Sequence, residues 1–343
     1  MNKLPVISVI MPVYKAEAYI EDSVKSILNQ SFKEIEIICI NDCSPDKSLE
    51  KLLALQAQDA RVKVVDLPQN VGAGAARNAG IAIATGEYIT FVDADDVIED
   101  DLYQKAYEAC RESGADQVVW GLVEDHFDQN NNIVKRIPIV SQEELLTDGK
   151  AYVEKILELE EKTLFGYLWN SMYRAEIIKK YDIRINDAIF YEDYFFNLDF
   201  AKHATSLQTL EYVGYHYAKR PNSSITHQFA KNYFELSYER IRTMYEFCIQ
   251  REYTKSDMYN ILGNRLLRYT LSALARNSSQ KAGLSSKEQR QWFGEICEKD
   301  LYKNLVSLCI PSNVVHGVLR WCICHKNCRT AVVMGNMINK IRG

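Results

Sequence analysis

The chain has 343 residues, of which 47% are hydrophobic and 25% are charged, a composition typical of globular proteins and not of disordered or fibrous ones. Its net charge of −5 argues against a nucleic-acid-binding protein, because such a protein needs a basic face. No apolar run approaches the roughly 20 residues that cross a bilayer, which argues against a transmembrane helix. We expect a cytoplasmic protein, since the sequence shows no secretory signal and its nine cysteines form no paired framework.

Apolar runs alternate with helical patterns over the first 122 residues. The runs predict strands at 6–11, 36–40, 62–65, 88–92 and 117–120. Apolar residues at helical spacing predict helices at 17–29, around 49–53, at 73–84 and at 102–111. Continuous apolar strands separated by helices are typical of an α/β fold, in which a mostly parallel, Rossmann-like sheet carries helices on both faces.

The pattern changes after residue 122. Residues 123–225 are mixed and rich in aromatic side chains, and from about residue 230 the apolar residues recur at helical spacing. We therefore predict one domain at 1–225, with halves at 1–122 and 123–225, followed by a helical C-terminal extension at 226–343.

Acidic residues follow the strand predicted at 88–92. Asp93 and Asp95 lie two positions apart on an extended exit from that strand, so their carboxylates point the same way. Ligands of parallel sheets bind at the carboxyl ends of the strands. Paired carboxylates suit Mg²⁺ or Mn²⁺, which prefer hard oxygens and share their ligand shell with substrate phosphates. The alternative is a solvated acidic turn that caps the helix beginning near Leu102.

Two more polar segments follow strands in the first half. Asp42 ends the second strand, where its carboxylate could accept hydrogen bonds from a base or a ribose, or could simply form a turn. The loop at 70–78 places glycines and Arg77 at a helix N-terminus, an arrangement that suits a diphosphate. Gly72-x-Gly74 also leaves open a nicotinamide-dependent oxidoreductase, although Arg77 occupies the third glycine position and the loop follows the third strand.

Residues 191–196 combine two carboxylates with aromatic neighbours at the start of a predicted helix. Asp193 is a candidate general base whose pKa would be adjusted by the aromatic surroundings. The alternative is an acidic helix N-terminus, which interacts favourably with the helix dipole.

Four segments resemble, in order and spacing, the family 2 glycosyltransferases of the GT-A fold. They are residues 9–14, 41–44, 76–81 and 86–96. Trp169-Asn170 and Tyr191-Glu192-Asp193 resemble the acceptor half of bacterial members that build surface polysaccharides. The resemblance implies that a nucleotide-binding half precedes an acceptor half. It also implies inverting transfer of a sugar from a nucleotide diphosphate, usually UDP, to a hydroxyl of a glycan or lipid-linked acceptor.

The resemblance assigns a role to each matching residue. Asp93, Ala94 and Asp95 would form the DXD motif that binds Mn²⁺ or Mg²⁺, with Asp95 the more direct ligand. Asp193 would be the catalytic base. The residues that would contact the nucleotide are Pro12, Val13, Tyr14 and Asp42 at the nucleoside, and Arg77 nearby.

Two positions depart from the family pattern. Asn41 stands where most members carry an Asp before Asp42, which would alter contacts with the base. Ser171 stands where a Lys is frequent, which puts acceptor or phosphate contacts there in doubt. A non-catalytic sugar-nucleotide binding module remains an alternative, since it would keep Asp42 and Asp95 but tolerate loss of Asp193.

Two polar clusters elsewhere have alternative interpretations. His216 and Arg220 could reach donor phosphates from a loop, or could belong to a plain surface loop. The cluster at 322–328 offers zinc ligand types, but at a spacing unusual for a zinc finger, so unpaired thiols are expected there. Its residues are Cys322, Cys324, His325 and Cys328.

The segment at 313–343 is apolar and basic. Residues 301–343 contain six Lys or Arg and no Asp or Glu. Apolar residues with a Trp and several cations suit a helix that lies in the interface of an anionic membrane, which would make the protein a peripheral one. The alternative is that the apolar residues pack on the acidic part of the chain, residues 1–300 with a net charge of −11, or on a second subunit of a homo-oligomer.

Overall fold

The structure is a computed structural model that describes residues 4–147, 149–186, 191–221 and 232–342. Contacts between residues divide the chain into two compact units, Met1–Ile225 and Thr226–Gly343. The boundary between them falls in residues 222–231, outside the described residues.

The first unit is built on one sheet, which has ten strands in the described part of the chain. The strands are β1 (Ile7–Val13), β2 (Ile35–Asn41), β3 (Val62–Asp66), β4 (Tyr88–Phe91), β5 (Val97–Ile98), β6 (Gln117–Phe127), β7 (Ile133–Ile139), β8 (Glu144–Leu146), β9 (Ser171–Arg174) and β10 (Leu207–Lys219). The helices are α1 (Ile20–Leu28), α2 (Ser48–Gln58), α3 (Ala73–Ile83), α4 (Leu102–Ser113), α5 (Gly149–Glu161), α6 (Ala175–Lys180) and α7 (Glu192–His203).

The sheet is mostly parallel, as the sequence predicts. Its order is β3-β2-β1-β4-β9-β6-β10-β5, with β7 added beside β6 and β8 beside β10. The four strands β3-β2-β1-β4 run parallel, and so do β6 and β10. The remaining strands pair antiparallel, which the sequence pattern did not predict, because β5 and β8 are short and β9 shows no alternation.

Apolar packing accounts for the parallel part of the sheet. All seven residues of β2 are buried, as expected of a strand covered on both faces. Helix α1 turns Ile20, Val24 and Ile27 toward the core. On α3, a Cβ added at Gly80 would lie 2.5 Å from Ile10 Cγ2, so this glycine lets the helix pack directly on β1.

The second unit is helical where it is described. Its helices are α8 (Tyr233–Gln250), α9 (Ser256–Asn277), α10 (Ser286–Cys297), α11 (Val314–Cys324) and α12 (Cys328–Arg342), with a 3₁₀ turn at Gln280–Ala282 and a π-helical turn at Tyr302–Val306. Helix α9 contacts each of the other four helices and carries a buried leucine-rich face. A Cβ added at Gly335 of α12 would lie 2.8 Å from the Leu274 carbonyl oxygen, so glycine permits the close approach of α12 to α9.

Two properties of the chain concern membranes and metals. None of the helices described is long and apolar enough to cross a membrane. The cysteines of the 322–328 cluster are free thiols, and no group of three or more His, Cys, Asp or Glu in the described ranges is arranged to hold a metal ion. The four side chains of the 322–328 cluster therefore do not form such a group.

Candidate active site

The carboxyl ends of three parallel strands bring the polar residues of the first unit together. In the register of the sheet, Val13 of β1 lies beside Asn41 of β2, and Ile10 of β1 lies beside Phe91 of β4. The segments that follow these strands therefore meet at one edge, where ligands of such sheets bind. Asp42 and Asp93 both lie at this edge.

Asp42 joins the end of β2 to the loop before α3. Its buried carboxylate accepts hydrogen bonds from the backbone N–H of Val71 at 2.7 Å and of Gly72 at 2.9 Å. Gly72 has φ of +87°, a left-handed conformation that favours glycine. Asp42 is thus a turn-forming residue, and a carboxylate with about four acceptor positions still has capacity for a ligand.

Asn41 faces an acidic neighbour. Its Nδ2 donates to Asp66 Oδ1 at 2.7 Å. An Asp at position 41, as in the family pattern, would place a buried carboxylate against the exposed carboxylate of Asp66, and two like charges at this distance repel each other. Asn41 therefore pairs with Asp66 across the β2–β3 edge.

The three residues at the end of β1 differ in what they present to solvent. Val13 is fully buried, and its carbonyl oxygen accepts the backbone N–H of Asp42 at 2.8 Å. Pro12 is half-buried, whereas Tyr14 is 46% exposed. Tyr14 is therefore the member of this group whose side chain is available to a ligand.

Arg77 connects two distant carboxylates. Its Nη2 donates to Asp93 Oδ1 at 2.7 Å and its Nη1 to Asp193 Oδ1 at 3.2 Å. The guanidinium is buried, and Nε has no hydrogen-bond partner among the described residues. Burial acts to lower the pKa of Arg77, but Asp193 and Asp93 raise it above its ordinary value. The structure thus brings together three of the residues singled out from the sequence.

Helix α3 also holds the segment that leads to Asp193. Asn78 accepts the backbone N–H of Ile185 at 2.9 Å and donates to its carbonyl oxygen at 2.7 Å. A Cβ added at Gly74 would lie 3.0 Å from Ile185 Cγ2 and 3.3 Å from the Asn186 carbonyl oxygen. Gly74 therefore makes room for this segment, which accounts for the glycine without a dinucleotide.

Asp193 lies in the first turn of α7. The helix follows Tyr191, whose φ of +67° is unusual for a non-glycine residue. Burial raises the pKa of Asp193 to about 7; Arg77 opposes this rise, whereas Glu192 and Asp93 add to it. A carboxylate that titrates near neutral pH is well matched to proton transfer.

Asp95 pairs with Arg220, the residue that follows strand β10. Arg220 Nη1 lies 3.1 Å from Asp95 Oδ2 and 3.2 Å from the Asp95 carbonyl oxygen. The guanidinium also lies over the rings of Tyr19, at 4.0 Å, and Phe127, at 4.9 Å. These residues line a cavity of about 280 Å³. Burial and the nearby Asp93 raise the pKa of Asp95, and Arg220 counteracts them.

Asp96 and Tyr215 form a buried pair that sequence reasoning missed. Tyr215 Oη donates to Asp96 Oδ2 at 2.8 Å and accepts the backbone N–H of Asp93 at 3.1 Å. Asp96 also accepts the backbone N–H of Ala218 at 2.8 Å. The Tyr215 ring stacks on Trp169 with centroids 4.1 Å apart. These contacts fix the turn at 93–96 against β10.

His216 lies on strand β10 and not on a loop, and it lines the same cavity as Asp95 and Arg220, whereas Ser171 lies on β9. His216 lies between two carboxylates, with Nδ1 2.9 Å from Asp125 and Nε2 2.8 Å from Glu99. Ser171 is buried within the sheet, where its Oγ accepts Gln117 Nε2 at 3.3 Å. A lysine at position 171 would not fit this environment without rearrangement.

The carboxylates fit a divalent cation whose shell is shared with a ligand. Mg²⁺ is usually held in proteins by one or two carboxylates together with substrate phosphates, and Mn²⁺ prefers similar oxygen ligands. The Asp95 side chain is 41% exposed and borders the cavity, and Asp93 follows the same strand. Because no set of three protein ligands is present in the described segments, the protein alone offers an incomplete shell.

Comparison with known proteins agrees with this geometry. The family described as "Glycosyl transferase family 2" matches residues 8–182. The uncharacterized glycosyltransferase EpsJ of Bacillus subtilis is 32% identical over 221 residues, which are 64% of this chain and 63% of EpsJ. The putative teichuronic acid biosynthesis glycosyltransferase TuaG of Bacillus subtilis is 42% identical over 107 residues, 31% of this chain and 42% of TuaG. The aligned part is thus less than two thirds of either relative.

A solved structure shows the same fold. S. aureus TarS 1–349, crystallised in complex with UDP-GlcNAc, superposes with a TM-score of 0.68 over 96% of this chain and 89% of that chain, at 20% identity. The mixed sheet with its parallel core and flanking helices is therefore the GT-A fold that the sequence predicts. On its sequence match and its fold, the chain belongs to the family 2 glycosyltransferases.

Proposed function

We propose that the protein transfers a sugar, with inversion, from a UDP-sugar to a hydroxyl of a glycan or lipid-linked acceptor during polysaccharide or glycolipid synthesis in the cytoplasm. The observation that supports this most is the Asp93–Arg77–Asp193 cluster. It joins the DXD turn to a carboxylate with a pKa of about 7. The UDP-GlcNAc bound to TarS and the biosynthetic role in the name of TuaG favour the donor and the pathway class.

The donor nucleoside would bind at the ends of β1 and β2. Tyr14 exposes an aromatic ring there, and Asp42 retains acceptor capacity for a base or ribose. Pro12 and Val13 would contribute through shape and backbone, because Val13 is buried. Arg77 would act mainly by holding Asp93 and Asp193, since both of its terminal nitrogens already face these carboxylates.

Asp95, assisted by Asp93, would hold Mn²⁺ or Mg²⁺. When bound, the ion would supply Lewis-acid stabilisation of the charge on the departing diphosphate. Arg220 already pairs with Asp95 and would compete with the ion or move toward the diphosphate when donor binds.

Asp193 would take the proton of the acceptor hydroxyl as the glycosidic bond forms. Its Oδ1 faces Arg77, so Oδ2 would receive the proton. One carboxylate suffices at the reacting centre because a nucleoside diphosphate leaves without being protonated, whereas glycosidases need two carboxyl groups. A single base on the face opposite the leaving group gives inversion.

A screen of UDP-sugars for Mn²⁺-dependent hydrolysis tests the proposal, since slow transfer to water needs no acceptor. We expect one or a few sugars to be hydrolysed, and activity to be lost in EDTA and in Asp95→Ala. The variant should fold normally, because the side chain is 41% exposed.

Wild-type activity in EDTA would contradict the metal assignment. UDP binding without any turnover, unaffected by Asp193→Asn, would indicate a non-catalytic binding module, and binding of NAD in preference to UDP would contradict the donor.

A further inference from the structure

Helix α11 buries one face and exposes an apolar one. Its inward residues are Leu319, Cys322 and Ile323. On the opposite side lie Val314, Val318 and Trp321, which are 82%, 39% and 48% exposed. Their spacing of four and three residues places them in one row along the helix. Trp321 stacks on His325 of the same segment with ring centroids 4.9 Å apart, yet it stays 48% exposed.

Helix α12 repeats this arrangement. It buries Ala331 and Val332, whereas Val333, Met337 and Ile341 are 55%, 60% and 83% exposed. The exposed three are four residues apart and form a second row. We call the six residues of these two rows the outer apolar residues. The helices therefore pack on the rest of the second unit by one face, which is one of the alternatives considered from the sequence. A second apolar face stays exposed.

The charged residues within 301–343 are all basic, and one of them, Lys326, forms an ion pair with Glu298 of the preceding segment. Residues 301–343 contain six Lys or Arg and no Asp or Glu. On α12, Arg329 lies four residues before Val333 and Lys340 three residues after Met337, so both flank the exposed row. Both are exposed. This surface is complementary to an anionic partner, and two copies of it facing each other would bring cations against cations.

We propose that the outer apolar residues bind an anionic membrane surface, with α11 and α12 lying in the interface. Trp and aliphatic side chains partition into the interfacial region, and exposed cations attract anionic headgroups. Each cation near such a surface contributes about fivefold to binding. The proposal is independent of sugar transfer, and it would place a family 2 glycosyltransferase at the surface where lipid-linked acceptors reside.

Flotation of the full chain with lipid vesicles tests this proposal. We expect the protein to float with phosphatidylcholine vesicles that contain phosphatidylglycerol, at low salt, and to bind pure phosphatidylcholine much less. Val318→Ser/Trp321→Ser/Met337→Ser should weaken binding by roughly tenfold or more, because apolar area no longer leaves water. Arg329→Gln/Lys340→Gln should lower binding to the anionic vesicles, and high salt should do the same.

A matched control carries the same kind of change in the first unit. Leu53, Val134 and Leu145 are 48%, 64% and 43% exposed, so Leu53→Ser/Val134→Ser/Leu145→Ser removes similar exposed apolar area. This variant should bind vesicles as the wild type does. Circular dichroism and thermal unfolding of every variant would establish that the helices remain folded.

Two outcomes would overturn the proposal. Equal flotation of the serine triple variant and the wild type would mean that the outer apolar residues do not contact lipid. In the second outcome, the wild type fails to bind vesicles and sediments as a dimer, whereas the serine triple variant sediments as a monomer. The face would then be an interface between two copies of the chain. Vesicles should shift the tryptophan fluorescence of the wild type to the blue. Loss of this shift in Trp321→Phe would support insertion of the Trp321 side chain into the lipid.

Discussion

Arg77 is the residue that most affects the electrostatics of the candidate site. Two carboxylate partners compensate the charge of this buried guanidinium, although its Nε lacks a partner among the described residues, whereas a single carboxylate would leave the charge poorly compensated. The same contacts keep Asp193 more acidic than burial alone would allow. Arg77 therefore links the geometry of the turn at 93–96 to the protonation of the proposed base.

Asp193→Asn should separate catalysis from donor binding. The amide keeps the shape of the side chain and removes its basicity, so turnover should fall by about 10²-fold or more. The affinity for UDP should stay near that of the wild type, since this residue is not proposed to contact the nucleotide. Steady-state kinetics and isothermal titration with UDP would measure the two effects.

The pH profile of the wild type gives an independent test of the same assignment. The pKa of Asp193 is raised to about 7, so the base is protonated and inactive below this value and ionised above it. Turnover should therefore rise with pH and level off above about 7. Glu192→Gln is the control, and it should retain a rise that is moved to lower pH, because the charge of Glu192 adds to the raised pKa of Asp193. A flat profile, or a larger loss in Glu192→Gln than in Asp193→Asn, would move the role of base to Glu192.

Tyr215 attaches strand β10 to the turn at 93–96. Tyr215→Phe removes the donor to the buried Asp96 and the acceptor of the Asp93 N–H. Unsatisfied buried groups of this kind cost about 1–3 kcal/mol, so the free energy of unfolding should fall by that amount in urea titrations. Tyr217→Phe, on the same strand, is the matched control and should be near neutral. Equal stabilities of the two variants would show that this pairing is not needed for stability.

The elements of the first half were predictable because each carries a local signal. Buried strands such as β2 are runs of apolar residues, and α1 has its apolar residues at helical spacing, although it begins at Ile20 and not at residue 17. The antiparallel strands were not predictable, since β9 has four residues and pairs with strands far away in the sequence. Their pairing depends on tertiary contacts and not on local pattern.

The candidate site was predictable in its residues but not in their connections. Asp93, Asp95, Arg77 and Asp193 each lie in a recognisable segment. However, the contact of Arg77 with Asp193 spans 116 positions of the chain, and nothing near either residue specifies it. The same holds for Tyr215 and Asp96, whose residue types are common in strands and turns. A fold that returns the chain to one sheet edge is what brings such residues together.

The whole molecule consists of two units, and the proposed functions divide between them. Every side chain proposed to bind the donor or the ion lies in Met1–Ile225, and the outer apolar residues lie in Thr226–Gly343. Each unit has its own buried core, the first around the sheet and the second around α9. Binding of the donor and binding of a membrane should therefore slow hydrogen exchange in separate segments of the chain.

Hydrogen–deuterium exchange measured by mass spectrometry tests this division. UDP with Mn²⁺ should slow exchange in the segments at 12–14, 70–77 and 93–96, because ligand binding stabilises the structure that contacts it. Anionic vesicles should slow exchange in α11 and α12 and leave the first unit unchanged. Asp95→Ala should lose the first effect and keep the second. Protection by UDP and Mn²⁺ that extended into α8–α12 would contradict the division, because it would mean that the second unit takes part in binding the donor.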